Sequence, residues 1–134
     1  MIEVVAALVK RDGRFMICQR SENKSRPLLW EFPGGKVEAG ETKEAALARE
    51  CREELAIELE VGKMFADSTF VYPDISVHLS LFEAKIVSGE PKLLEHKDIR
   101  WITPEEAHLF EFSPADVPFV EKLCYNAPVF LDGE

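Results

Sequence analysis

The sequence predicts an α/β fold, an α/β/α sandwich arranged around a mixed β-sheet. Three observations carry that expectation. Runs rich in β-branched residues open the chain and return in its middle. One stretch, residues 43–56, is built almost wholly of strong helix formers behind Thr42. Two late starts with Pro at the first helical position, Thr103-Pro104 and Ser113-Pro114, follow the last apolar run.

The elements follow in order. Residues 2–9 alternate poorly but are β-branched, residues 10–14 supply a turn, and residues 15–20 read as a second strand, so the chain opens with a hairpin. Residues 21–27 are polar, charged and Pro-terminated, and read as a loop. Residues 29–32 form a short extended segment, because Pro33 disfavours helix at Phe32. A Gly-rich loop, residues 34–40, precedes the helix, for which Thr42 is the N-cap. Residues 59–71 and 75–87 are long β-type runs around the turn Tyr72-Pro73-Asp74, a second hairpin. Residues 88–91 make a turn, 99–102 a short strand, and 115–125 a last helix. The tail, residues 126–134, carries no clear signal.

Composition narrows the function. A chain of 134 residues suits one domain, residues 1–134, with a single core. No apolar run reaches the length of a membrane span, and the N-terminus is too short and too charged for a signal peptide. Three cysteines without CxxC spacing are simplest as reduced thiols in a cytoplasm. The net charge of −9 argues against gripping a nucleic acid polymer, which needs a basic face. It does not exclude a small phosphorylated ligand, because bound metal ions reverse the local sign.

The helix carries the chemistry. At about 100° per residue, Glu50, Glu53 and Glu54 share one narrow stripe, beside an apolar stripe of Leu47, Ala48, Cys51 and Leu55. Each like-charge pair at i,i+3 or i,i+4 costs roughly 0.2–0.5 kcal/mol. Arg49 and Arg52 project to other sides and relieve this only in part. Helix spacing alone leaves two readings open: a solvated acidic face, or oxygen ligands for a hard divalent cation such as Mg²⁺.

The spacing of Gly35, Glu41 and the run Arg49-Glu50-Cys51-Arg52-Glu53-Glu54-Leu55-Ala56-Ile57 resembles the Nudix box. Every charged position of that pattern is filled. Cys51 stands where an aliphatic residue is usual, and Ala56 replaces the last Gly. Beyond the box, Trp30-Glu31-Phe32-Pro33-Gly34-Gly35-Lys36 and Phe112-Ser113-Pro114-Ala115-Asp116 are similar to segments of the MutT-type and CTP pyrophosphohydrolase branches. The similarity runs from about residue 2 to 124 and implies the Nudix α/β/α sandwich.

Position by position, the resemblance implies metal binding by the Gly34 carbonyl, Glu50, Glu53, Glu54 and Glu95, with Mg²⁺ as cofactor and Mn²⁺ as its substitute. Arg49 would hold the glutamates in place. Glu41 reads equally as a catalytic acid or as a carboxylate at the helix start. Arg20 and Lys36 are candidates for phosphate contact, and Phe32, Tyr72 and Val4 for flanking a base, each against an ordinary surface or core role. Asp116 stands where the resemblance puts a base-contacting residue, against a plain helix-start carboxylate. His78, His96 and Cys18 read as structural.

The implied reaction is Mg²⁺-dependent hydrolysis of modified or oxidised nucleoside triphosphates, of the 8-oxo-dGTP or the CTP and modified dCTP class. Its products are a nucleoside monophosphate and pyrophosphate, and Glu50 or Glu95 would take the water proton. The competing readings are a Nudix hydrolase of another nucleoside diphosphate conjugate, and a non-catalytic nucleotide-sensing module. The partner expected is a small nucleotide, with no polymer and no membrane, for a monomer or homodimer.

Overall fold

The computed structural model describes residues 1–126. Seven strands form one sheet: β1 (Ile2–Arg11), β2 (Arg14–Gln19), β3 (Trp30–Glu31), β4 (Gly34–Lys36), β5 (Glu58–Val71), β6 (Ser76–Ser88) and β7 (Asp98–Ile102). The order is β3-β2-β1-β6-β5, with β4 added on β1 and β7 on β2. Helices α1 (Lys43–Leu55) and α2 (Val117–Tyr125) pack on it, with 3₁₀ segments at Pro104–Leu109 and Pro114–Asp116.

Strand β1 explains why residues 2–9 alternate poorly. It lies parallel to β6 from Ile2↔Val77 to Val9↔Ala84, which makes the sheet mixed, and both of its faces are covered. Ala6 and Leu8 join Phe15, Ile17, Leu79, Leu81, Phe119 and Leu123 on the α2 side. Val5, Ala7 and Val9 join Met16, Cys18, Leu47, Cys51 and Leu55 on the α1 side. A strand buried on two faces needs apolar residues at every position, so period two is lost. Each fully buried Leu, Val or Phe stabilises by about 1.5–3 kcal/mol.

Several expectations need correction. The opening hairpin is real but pairs only at Lys10↔Phe15 and Arg11↔Arg14. The strands then part, β1 toward β6 and β4, β2 toward β7 and β3. The stretch read as a loop from residue 34 begins instead as strand β4, with Ala6↔Gly34 and Val4↔Lys36. A Cβ on Gly34 would collide with the Val5 carbonyl, so glycine here permits close strand approach. The start at Thr103-Pro104 makes a 3₁₀ segment in which the Glu106 carboxylate accepts the Thr103 N–H at 2.8 Å. The last helix begins at Val117, after its own 3₁₀ turn. Ala46, not Ala48, is the alanine that α1 buries. The tail beyond Asn126 lies outside the described residues.

Helix α1 starts where its cap dictates, the Thr42 hydroxyl accepting the Ala45 N–H at 3.1 Å. It stops at Ala56, which takes the left-handed conformation (φ 59°) and donates its N–H to the Arg52 carbonyl at 3.1 Å. Among the described residues no helix is long and apolar enough to cross a membrane.

Candidate active site

A cavity of about 530 Å³ opens between α1, the end of β1, the β5–β6 turn and the loop after β2. Gly34, Gly35 and Lys36 of β4, Glu50 and Glu54 of α1, and Glu31, Glu95 and His96 line one part of it. Phe32, Tyr72, Ala115, Ser113 and Asp116 line another. Arg20, Lys24 and Arg26 come in from the loop after β2.

The acidic part is crowded. A Cβ on Gly35 would run into the Glu50 carboxylate, so that glycine makes room for the acid against the sheet. Burial first, then the charges of Glu50 and Glu31, push the Glu54 carboxyl up to about 8; a hydrogen bond with Glu50 and the charge of Glu95 add to this. Glu53, by contrast, is 59 % exposed and is not part of the cavity wall.

Arg49 holds this edge of the helix together. Its guanidinium donates to Glu41 at 2.7 and 2.9 Å, to Glu50 at 3.0 Å, to Glu53 at 3.2 Å and to the Lys36 carbonyl at 3.1 Å. The helical wheel gave it only partial relief of the glutamate repulsion. The long side chain, ending in a planar fork, reaches acids its Cα does not face. Arg52 does turn elsewhere, to Glu58 at 2.7 Å. Glu41 also accepts the Glu38 N–H at 2.9 Å, and these bonds hold its carboxylate down near 2. It does not line the cavity, and its contacts are those of a residue that orients Arg49.

At the other part of the cavity Asp116 is 5 % exposed, and its Oδ1 accepts the Phe32 N–H at 3.1 Å. Burial, aided by the Glu31 charge, pushes its carboxyl well above the usual range, against the pull of the Phe32 N–H. Asp116 stands at the N-cap of α2, but its side chain makes no capping bond there; the backbone N–H it accepts is that of Phe32. The Tyr72 hydroxyl accepts the Ala115 N–H at 2.9 Å. Phe32 is buried, its ring 5.7 Å from that of Phe15 and 6.1 Å from that of Phe112, so most of it belongs to the core.

The cations are partly spoken for. Arg20 donates to Glu31 at 2.9 Å and to the Ser25 carbonyl at 2.6 Å. Lys24 lies 3.8 Å from Glu95. Arg26 stands 4.0 Å over the Tyr72 ring and pairs with Asp74 at 3.0 Å, joining the loop to the β5–β6 turn. Lys36 is exposed at the cavity rim.

Three residues of the wall escaped sequence reading. Glu31 lies between Arg20 and His96, accepting from the latter at 3.1 Å, and its charge is felt at both Glu54 and Asp116. His96, read as structural, has only 6 % of its side chain exposed and faces the cavity beside Glu95. Ser113 stands in the segment Phe112-Ser113-Pro114-Ala115-Asp116 noted above, but its own side chain carries no reading there beyond opening a Pro-led turn. His78 lies elsewhere, between Glu3 and Asp67 at 2.8 Å each. Cys18 and Cys51 are buried among apolar side chains that push both thiols up, and neither lines the cavity.

A hard divalent cation fits the donor set. Glu50, Glu54, Glu95 and the Gly34 carbonyl offer oxygens, and burial together with the neighbouring acids raises the Glu54 carboxyl, a strain that a cation would relieve. Among the described residues no three His, Cys, Asp or Glu side chains form a ready-made cage. Mg²⁺ does not ask for one, since it binds through one or two carboxylates plus substrate phosphates.

Comparison with known proteins gives a consistent picture. The family model for the NUDIX domain matches residues 1–123. The chain is 41% identical over 121 residues to the CTP pyrophosphohydrolase of Escherichia coli K12, covering 90% of each. It is 31% identical over 132 residues to the 8-oxo-dGTP diphosphatase of Haemophilus influenzae, covering 98% of this chain and 97% of that one. The crystal structure of a MutT protein from Methanosarcina mazei superposes with a TM-score of 0.82 at 29% identity, over 93% of this chain and 94% of the other.

Proposed function

The chain belongs to the Nudix family, and from that premise we propose that it hydrolyses modified or oxidised nucleoside triphosphates to a nucleoside monophosphate and pyrophosphate. Its place is the free nucleotide pool of the cytoplasm, which suits the free thiols Cys18, Cys51 and Cys124. One observation carries the reading. A single cavity joins a crowded carboxylate pair, Glu50 and Glu54, to a buried Asp116 set among aromatic rings. The first suits a metal-bound triphosphate and the second a base.

Glu50, Glu54 and the Gly34 carbonyl would hold Mg²⁺, with Glu53 and Glu95 as further carboxylates and Mn²⁺ as a substitute ion. When bound, the metal supplies Lewis-acid neutralisation of phosphate charge and a water of lowered pKa. Arg49 positions Glu50 and Glu53 through its charge-assisted bonds. Lys36 and Arg20 face phosphate oxygens, Arg20 once it exchanges part of its bonding to Glu31 and Ser25. Glu50 or Glu95 takes the proton of the attacking water. Tyr72 and Phe32 flank the base, and Asp116 presents its remaining oxygen to the base edge.

Product analysis over a panel of CTP, dCTP, methylated dCTP, GTP and 8-oxo-dGTP tests this. Pyrophosphate, not orthophosphate, should appear, and turnover should stop with chelator and return with Mg²⁺ or Mn²⁺. Full turnover in metal-free buffer would overturn the reading. In the same panel Asp116→Asn should redistribute kcat/KM among the bases more than it changes stability, since the amide oxygen can still accept the Phe32 N–H.

A further inference from the structure

Among the described residues, two buried side-chain polar atoms have no hydrogen-bond partner, His96 Nδ1 and Ser113 Oγ. Both residues line the same cavity. Proteins pair buried polar atoms because desolvating one without a partner costs free energy. An orphan atom in the wall of a binding cavity is therefore accounted for if a ligand completes it.

Ser113 is the better defined of the two. The residue is 3 % exposed, and its backbone is fully spent: the N–H donates to the Trp30 carbonyl at 2.9 Å, and its carbonyl accepts the Asp116 N–H at 2.9 Å. These bonds set the 3₁₀ turn that carries Asp116, so the hydroxyl and that carboxyl belong to one rigid corner. Tyr72 and Asp116 each already accept one backbone N–H at this end of the cavity. The Ser113 hydroxyl has made no bond, although it offers one donor and two acceptor positions and turns freely about one torsion.

We propose that Ser113 determines base specificity, its hydroxyl bonding the base edge beside Asp116. This rests on the reading of this end of the cavity as the base pocket. The chemistry favours a base with an exocyclic amino group next to a ring-nitrogen acceptor, the pattern that cytosine shares with adenine and that the pairing edge of guanine lacks. An Asp116 oxygen accepts from the amino group and the Ser113 O–H donates to the ring nitrogen. The contact lies far from the reacting phosphorus, so it acts on substrate and transition state alike and appears in KM.

The test uses Ser113→Ala and Ser113→Cys, the second keeping the side-chain shape in slightly larger form while losing the strong O–H. With Mg²⁺ present, kcat/KM for CTP should fall about tenfold or more in both, through KM, while GTP changes by less than about twofold. Melting temperature should hold or rise slightly, because the hydroxyl removed makes no bond in the free protein. Equal change on both nucleotides, no change on either, or a fall in melting temperature with preference intact would overturn the proposal. Asp116→Asn, measured alongside, separates the two levels. If it shifts the preference and the Ser113 variants do not, Ser113 has no part in the base pocket; if none of the three shifts it, the pocket reading fails as well.

Discussion

Glu54 shows how a single carboxyl reports on its site. Its raised pKa comes from burial and from Glu50, Glu31 and Glu95, all acids, so in the absence of metal the folded protein holds a proton that the unfolded chain releases. The sign follows. The stability this group contributes is fully present below its ordinary value of 4.5 and is lost as pH rises through about 8. Glu54→Gln imitates the protonated form. With chelator present, the variant should show a flatter fall in denaturant midpoint between about pH 5 and 8 than the wild type, while its turnover with Mg²⁺ collapses. An unchanged pH slope would place the origin of the wild-type slope elsewhere.

At the scale of the element, α1 ends on a residue that does not favour its own backbone. Ala56 sits at φ 59°, where a Cβ crowds the next carbonyl and costs roughly 1–2 kcal/mol relative to glycine. Ala56→Gly removes that strain but adds freedom to the unfolded chain, worth about 0.4–1 kcal/mol the other way. The net expectation is a gain of about 0.5–1 kcal/mol in urea unfolding, with kcat/KM unchanged because Ala56 does not line the cavity. A loss of stability would mean that the Ala56 methyl packs to more effect than its strained backbone costs.

At the scale of the whole molecule, His78 ties three strands together. It lies on β6 and bonds Glu3 of β1 and Asp67 of β5, at 2.8 Å each. Its hydrogen bonds to Asp67 and then Glu3 raise its pKa, and the same bonds lower those of both carboxyls. The histidine's contribution is complete below about 6.5, its unfolded value, and is lost as pH rises through its folded value. The carboxylates' contribution is present above their ordinary values and is lost on acidification. The clasp is therefore strongest between the two, in mildly acidic solution. His78→Gln should flatten thermal stability across about pH 5.5 to 8 without altering nucleotide preference, as read by calorimetry at several pH values.

The sequence by itself determined the family, the long strands and the register of the acidic helix. Those are local properties: propensity, a Thr42 cap, and carboxylates whose angular positions follow from 3.6 residues per turn. It also marked both parts of the cavity, through Glu50 and Glu54 on one side and Asp116 on the other. Tertiary structure alone decided the rest. It set the Arg49 fork on Glu41 and Glu50, because a long guanidinium reaches acids that its Cα does not face. It made β4 from what reads as a glycine loop, because the need for close strand approach is set by the neighbouring strand. It brought Glu31, His96 and Ser113 into one wall with Glu54 and Asp116, across more than 80 positions of chain from Glu31 to Ser113. Whether a buried hydroxyl is satisfied depends on atoms distant in sequence, and only the folded chain decides which atoms those are.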